Sequence, residues 1–65
     1  MKLSVNGEVR DIQASDLQSA LTELGFGDAK VATAVNGEFV PAGLRATTQL
    51  HESDRLEVLA PMQGG

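Results

Sequence analysis

The segment SDLQSALTELGF, residues 15–26, predicts the main helix around which the rest of the fold is arranged. Its apolar residues recur at i, i+3, i+4 and i+7, so one helical face is lined by Leu17, Ala20, Leu21 and Leu24. Ser15 and Gln18 match a capping box, in which the Ser hydroxyl accepts from a free N–H and the Gln side chain reaches back. Gly25 supplies the left-handed residue that ends a helix. A helix of this kind can cover one face of a β-sheet.

Asn-Gly pairs at residues 6–7 and 36–37 predict two β-hairpins, one before the helix and one after it. Both residue types tolerate the positive φ angles that a tight type I′ turn requires, and alternating apolar residues flank each pair. In the first hairpin, a two-residue turn would place Glu8 and Arg10 on the apolar face, near its rim. A β-bulge would relieve this conflict, so the register of the second strand stays open.

A final strand is predicted from the alternating segment RLEVLA, residues 55–60, and it stops at Pro61 because proline lacks a ladder N–H. The predicted order is strand, strand, helix, strand, strand, strand, with an irregular segment at 42–49. Hairpins at both ends of the chain leave the first and last strands free to pair in parallel at the centre. This arrangement is an α+β fold of the β-grasp, or ubiquitin-like, type, with about four to five strands in a mixed sheet and one main helix on one face. We expect a single domain over residues 1–60 and a flexible tail over residues 61–65.

The two faces of the predicted sheet carry different sets of apolar residues. The inward set is expected to form the core: Leu3, Val5, Leu17, Leu21, Leu24, Val35, Leu50, Leu56 and Val58. Strand alternation places a second set on the open face: Ala32, Ala34, Phe39 and Leu59. An exposed apolar patch usually marks a partner surface, so these are candidate partner-binding residues. The alternative is a weakly apolar solvent face, since two of them are alanines.

Length and charge limit the possible functions. A chain of 65 residues buries only about 60% of its unfolded surface, which leaves little room for a deep catalytic pocket, so we expect a partner of enzymes rather than an enzyme. Nine acidic and five basic residues give a net charge of −4, which disfavours nucleic acid and anionic membranes as partners. The absence of Cys excludes thiolate metal sites, and the single His51 is expected to be a solvated surface residue. A cytoplasmic protein, monomeric on its own and without metal, is the expectation.

The ending PMQGG, residues 61–65, is the one feature that strand periodicity does not explain. Consecutive glycines carry no side chains and can enter a channel too narrow for other residues, and an extended arm of this length reaches about 16 Å. The α-carboxylate of Gly65 is ionised at neutral pH and is a poor electrophile. An ATP-using partner can activate it as an acyl-adenylate, and a sulfur donor can then leave a thiocarboxylate. Candidate partner contacts along this tail are Pro61, Met62, Gln63 and Gly64. Glycines at a chain end are also common without any function.

Essentially the whole chain resembles the ThiS family, the sulfur-carrier proteins of thiamine biosynthesis within the ubiquitin-like group. The resemblance rests on five segments: VNGE at 5–8, the helix at 17–24, VNGEFVP at 35–41, DRLEVL at 54–59 and the PMQGG ending. It implies that Gly65 is adenylated by a ubiquitin-activating-like adenylyltransferase that uses ATP. It further implies that a sulfur-donor protein supplies the thiocarboxylate, that thiazole synthase receives the sulfur, and that the carrier itself binds no cofactor.

Two departures from the family pattern are visible. The usual Asp-Gly-Asp turn is Glu52-Ser53-Asp54 here, which bears on turn geometry. Ala42 and Gly43 follow Pro41 where a basic residue is common, which puts in doubt any partner contact made by that residue.

Three other functions stay open at this point. The first is a β-grasp module that docks proteins through its open sheet face and has an inert tail. The second is a modifier whose Gly65 forms isopeptide bonds with lysines. The third is a carrier of another pathway, such as the molybdopterin-synthase small subunit, which inserts its tail permanently into an enzyme subunit. That family is usually somewhat longer and more aromatic.

Overall fold

Five strands, one α-helix and one 3₁₀ helix form the fold, in a computed structural model that describes residues 1–27 and 29–60. In chain order they are β1 (Lys2–Val5), β2 (Glu8–Asp11), α1 (Leu17–Glu23), β3 (Ala32–Val35), β4 (Glu38–Val40), the 3₁₀ helix (Ala42–Thr47) and β5 (Arg55–Leu59). The predicted order of elements is confirmed, and the segment 42–49, expected to be irregular, contains the 3₁₀ helix. The predicted tail at 61–65 lies outside the described residues.

The sheet has the order β2-β1-β5-β3-β4, so the first and last strands are neighbours at its centre. β1 and β5 run parallel, with Val5 opposite Leu56, and every other pair of neighbouring strands is antiparallel. Two hairpins therefore flank β5, and α1 covers one face of the sheet. This is the mixed β-grasp sheet that the sequence predicts.

The first hairpin has a two-residue turn and no bulge, which fixes the register that the sequence left open. Val5 pairs with Glu8 and Leu3 pairs with Arg10, so both charged residues do lie on the helix-facing side. The conflict is small because β2 is an edge strand, where both charged residues are exposed to solvent. Ile12, just beyond β2, returns to the core and is buried.

The helix begins one residue later than the capping-box prediction, which was wrong. The N-cap is Asp16, in extended conformation, and its carboxylate accepts the Ser19 N–H at 2.9 Å. This backbone hydrogen bond lowers the pKa of Asp16 below its usual value. Ser15 is outside the cap because its carbonyl accepts the Leu50 N–H at 2.8 Å, in a short pairing with the segment before β5. Tertiary pairing thus overrides the local capping pattern.

The C-terminus of α1 is a Schellman end, as predicted. Gly25 has a φ of 95°, and its N–H donates to the Thr22 carbonyl at 3.1 Å. The Phe26 N–H donates back to the Leu21 carbonyl at 2.7 Å, and Phe26 packs against the core. The chain therefore leaves the helix by a sharp turn toward β3.

The core lies between α1 and the inner face of the sheet, and most of its predicted members are buried. Leu24 and Val35 are exceptions, since they lie at the ends of their elements and only pack partly against it. Four further residues are buried there: Ile12, Ala20, Thr33 and Val40. Thr33 is polar, but its hydroxyl donates to the Val40 carbonyl at 2.8 Å and accepts from Arg45 Nε at 3.2 Å, so its burial is compensated.

Candidate functional site

The open face of the sheet carries an apolar surface formed by Ala32, Ala34, Phe39 and Leu59, called here the open-face patch. Ala34 lies directly opposite Phe39, and Ala32 lies directly opposite Leu59, so strand pairing brings the members together. Phe39 is 68% exposed and Leu59 is 67% exposed. The prediction that these residues share one face is confirmed. Their role in partner binding stays a prediction.

A shallow groove of about 120 Å³ runs between the members of the open-face patch. Its walls are mostly apolar, with Glu57 as the charged residue at its side. Glu57 lies opposite Ala34 in the ladder, so a carboxylate borders the apolar surface on β5. A partner that fits this surface therefore needs an apolar side chain for the groove and a positive or hydrogen-bonding group near Glu57.

The open-face patch lies next to the start of the predicted tail. Leu59 is the last residue of β5, and only Ala60 separates it from Pro61. A partner bound to Leu59 would consequently have the tail within reach. The predicted reactive residue Gly65 and the predicted contacts at Pro61, Met62, Gln63 and Gly64 lie outside the described residues.

Asn6 makes a contact that the sequence did not indicate. It has a φ of 50° in the first turn, and its side chain reaches across to β5. The Asn6 Oδ1 accepts the Val58 N–H at 2.8 Å, and the Asn6 Nδ2 donates to the Val58 carbonyl at 3.0 Å. The carboxamide thus acts as one more ladder residue beyond the end of β1.

Asn36 holds the opposite side of β5 with its side chain and its backbone N–H together. It has a φ of 51°, its Oδ1 accepts the Arg55 N–H at 2.9 Å, and its own N–H donates to the Arg55 carbonyl at 2.8 Å. The two turn asparagines therefore hold opposite ends of the central strand, Asn36 at its start and Asn6 near its end. Sequence reasoning assigned both only to turns, because their partners lie far away along the chain.

Asp54 is held by the turn that precedes β5. Asn36 Nδ2 donates to its Oδ1 at 3.0 Å, and the His51 N–H donates to its Oδ2 at 2.8 Å. The hydrogen bond from Asn36 is the main reason why the pKa of Asp54 lies below its usual value. The His51 imidazole is 78% exposed, with Nδ1 3.7 Å from the Asp54 carboxylate. Both residues are therefore turn and surface residues, as the sequence predicts.

Residues 1–27 and 29–60 contain no group of His, Cys, Asp and Glu side chains placed to hold a metal ion. The helices in this part of the chain are too short or too polar for one of them to cross a membrane. The exposed apolar side chains and the groove between them make the open-face patch, together with the end of β5, the candidate site.

The family comparison agrees with this arrangement. The model of the ThiS family matches residues 3–65, which includes both the sheet and the ending PMQGG. The chain belongs to the ThiS family. Membership in ThiS supports a sulfur-carrier role in thiamine biosynthesis, the role that the sequence resemblance implies.

Solved structures of a thiamine biosynthesis protein from Geobacter metallireducens are similar to this ThiS-family chain. Its crystal structure, described as ThiS, is 28% identical, covers 100% of both chains and superposes with a TM-score of 0.85. Its solution NMR structure is 26% identical over 100% of this chain and 88% of the other, with a TM-score of 0.78. The β-grasp fold is therefore shared with the Geobacter metallireducens protein.

A curated relative connects the ThiS-family chain to a larger protein. The thiazole synthase of Paramagnetospirillum magneticum is 41% identical over 66 residues, which cover 100% of this chain and 20% of that protein. The chain thus spans about a fifth of the curated relative that it matches. A segment similar to this domain is part of a polypeptide named for thiazole synthesis.

Proposed function

We propose that this ThiS-family protein is a sulfur carrier for thiazole formation in thiamine biosynthesis, and that it acts as a protein co-substrate of partner enzymes. The observation that carries the proposal is the family match, which runs through the β-grasp domain to Gly65. The domain, residues 1–60, supplies the docking surface. The tail, residues 61–65, supplies the reacting group.

The chemistry begins at the α-carboxylate of Gly65. A carboxylate oxygen attacks the α-phosphorus of ATP in the activating enzyme, the bond to the β-phosphate breaks, and pyrophosphate leaves. The resulting acyl-adenylate has a good leaving group, so a sulfur nucleophile can attack the acyl carbon and displace AMP. Where a persulfide is that nucleophile, a thiol of the partner then reduces the acyl disulfide, forming a protein disulfide and leaving the thiocarboxylate.

The residues before Gly65 suit delivery into an enclosed site. Gly64 and Gly65 have no side chains, so a narrow channel can admit them together with the reacting carbon. Met62 is a flexible apolar side chain suited to a partner groove, and Pro61 marks the end of the strand. An extended arm over 61–65 spans about 16 Å, enough to reach a buried active site while the domain stays outside.

The open-face patch is the proposed docking surface for the activating adenylyltransferase. Phe39 and Leu59 provide large exposed apolar side chains, and aromatic and aliphatic anchors of this kind dominate binding energies at interfaces. Their position beside the start of the tail lets one binding event orient the carboxylate. Glu57, at the side of the groove, gives the interface a charged contact that orients the partner.

Thiazole synthase is the proposed recipient of the sulfur. The relative from Paramagnetospirillum magneticum supports this pairing, because a carrier-like segment there belongs to a protein named thiazole synthase. Two modules on one polypeptide meet at a high effective concentration, which favours a partnership that is transient when they are separate.

Intact-mass analysis tests the proposed function. The protein is incubated with an activating adenylyltransferase, ATP and a sulfur donor, and the expected product carries an oxygen-to-sulfur mass gain that maps to Gly65. Omission of ATP is the control and should leave the mass unchanged. Conjugates with lysine side chains would indicate a modifier, and an unmodified mass in the complete reaction would favour an inert docking module.

A further inference from the structure

We propose that the Asn6 carboxamide is a positioning residue that fixes the direction in which the reactive tail leaves the sheet. This inference rests on the proposed function, because it concerns delivery of the Gly65 carboxylate to the activating enzyme. It assigns to the first Asn-Gly turn a role that its turn geometry alone does not require.

The central strand β5 continues beyond the end of its parallel neighbour. β1 ends at Val5, and its last backbone contact to β5 is the Asn6 N–H, which donates to the Leu56 carbonyl at 2.9 Å. Gly7, with a φ of 87°, then turns the chain away. The backbone N–H and carbonyl of Val58 face this side without a strand beside them, and the Asn6 side chain takes both.

Those two hydrogen bonds are the last attachment of β5 on this side within the described residues. On the other side, Ala32 of β3 lies opposite Leu59, so β3 alone would hold the strand end if the Asn6 amide were absent. A strand end paired on one side can pivot about that pairing. The Asn6 contact removes this freedom only three positions before Pro61.

Small changes in direction at the root become large at the end of an arm. When a channel of the activating enzyme holds the tail extended, a rotation of about 10° at the strand end displaces the end of an arm of roughly 16 Å by about 3 Å. Reacting atoms need to approach within about 3–3.5 Å, and a misplacement of about 1 Å can cost roughly 100-fold in rate. Fixing the strand end therefore raises the fraction of bound carriers whose carboxylate lies at the reactive phosphorus.

Asn36 provides a matched control within the same sheet. It has the same residue type, the same kind of turn and a similar φ, and it too donates and accepts hydrogen bonds with its side chain. Its contact is to Arg55 at the start of β5, away from the tail. Loss of the Asn36 amide should affect stability but not the direction of the tail.

The experiment compares Asn6→Gly with Asn36→Gly in ATP–pyrophosphate exchange by the activating adenylyltransferase. Glycine keeps the positive φ of each turn, so both hairpins should survive. We expect Asn6→Gly to lower kcat by about 10-fold or more. The KM for the carrier should stay near wild type, because β3 still holds Leu59 in the open-face patch. Asn36→Gly should match wild type in both constants.

Wild-type kcat in Asn6→Gly would overturn the inference, as would an equal loss of kcat in both variants. Should Asn6→Gly not fold, Asn6→Asp keeps the acceptor for the Val58 N–H and loses only the donor. A wild-type kcat in Asn6→Asp would then count against the inference.

A second measurement separates this inference from the proposed function. Amide ¹⁵N relaxation reports on the order of Leu59 and Ala60 without any enzyme. The order parameters of both amides should fall in Asn6→Gly and stay at wild-type values in Asn36→Gly, and unchanged values in both variants would refute the positioning role. If the wild-type protein supports no exchange at all, the proposed function fails, while the relaxation data still decide what Asn6 does.

Discussion

Replacing Leu21 by alanine tests whether the stability of the domain depends on the assigned helix face. Leu21 is 1% exposed and lies on α1 against the sheet. The substitution removes all side-chain carbons beyond Cβ, which at about 0.8 kcal/mol per buried carbon group costs roughly 2.4 kcal/mol in transfer free energy. The remaining cavity brings the expected loss to about 3–5 kcal/mol.

A loss of that size is most of the stability of a domain this small. If the free energy of unfolding is only about 5 kcal/mol, Leu21→Ala leaves the protein barely folded at 25 °C. Each kcal/mol lowers the Tm of a domain of this length by about 4–8 °C, so a decrease of at least about 12 °C is expected. Thermal and urea unfolding, followed by far-UV circular dichroism, measure this loss.

Leu44→Ala is the matched control, because Leu44 lies on the 3₁₀ helix and is 54% exposed. Its unfolding free energy should stay within about 0.5 kcal/mol of wild type, since substitutions at exposed positions rarely cost more. Melting of Leu21→Ala at the wild-type temperature would refute the assigned core. An equal loss in both variants would show that the cost is not one of burial.

Three further predictions concern docking, the tail and pH. Leu59→Asp should fold normally and raise the KM of the activating enzyme for the carrier. Val9→Asp changes an exposed residue on the same face outside the open-face patch, so it should leave that KM unchanged. Equal kinetics in both variants would remove Leu59 from the interface. Deletion of Gly65 retracts the carboxylate by about 3.5 Å, and Gly64→Val adds a β-branched side chain to the tail. Both variants should lose pyrophosphate exchange and form no thiocarboxylate. Both should melt at the wild-type temperature, because both residues come after the last strand. Wild-type exchange by the shortened chain would favour the inert module. Asp54 has a pKa lowered in the folded state, so its stabilisation is present above its ordinary value of 3.8 and disappears as pH falls through the folded pKa. Urea titrations should therefore show a weaker acid dependence in Asp54→Asn, and identical dependences would contradict the assignment.

Local patterns were sufficient to predict the elements and their order. The apolar spacing of Leu17, Leu21 and Leu24 predicts α1, and the two Asn-Gly pairs predict both hairpin turns, because these signals depend only on neighbouring residues. The same hairpins predict that the first and last strands pair in parallel at the centre of the sheet, as they do. Strand alternation likewise predicts that Phe39 and Leu59 share the open face.

Contacts between distant segments could not be predicted in this way. The N-cap moved from Ser15 to Asp16 because the Ser15 carbonyl pairs with Leu50, a residue far along the chain. The contact between Asn6 and Val58 joins opposite ends of the sequence, so no local pattern marks it. In the candidate site, alternation indicates which side chains are exposed, but the side-chain hydrogen bonds that hold β5 depend on the completed sheet.

The position of β5 at the centre of the sheet has a consequence for how the chain folds. The pairing inside each hairpin, β1 with β2 and β3 with β4, is local in sequence, and isolated two-stranded hairpins are marginally stable in water. During synthesis, both hairpins precede β5 and lack the strand that joins them. The sheet can therefore assemble only after residues 55–59 become available, when both hairpins dock onto one strand together. We expect a single cooperative folding step, with no stable intermediate in which the segment next to the tail is already ordered.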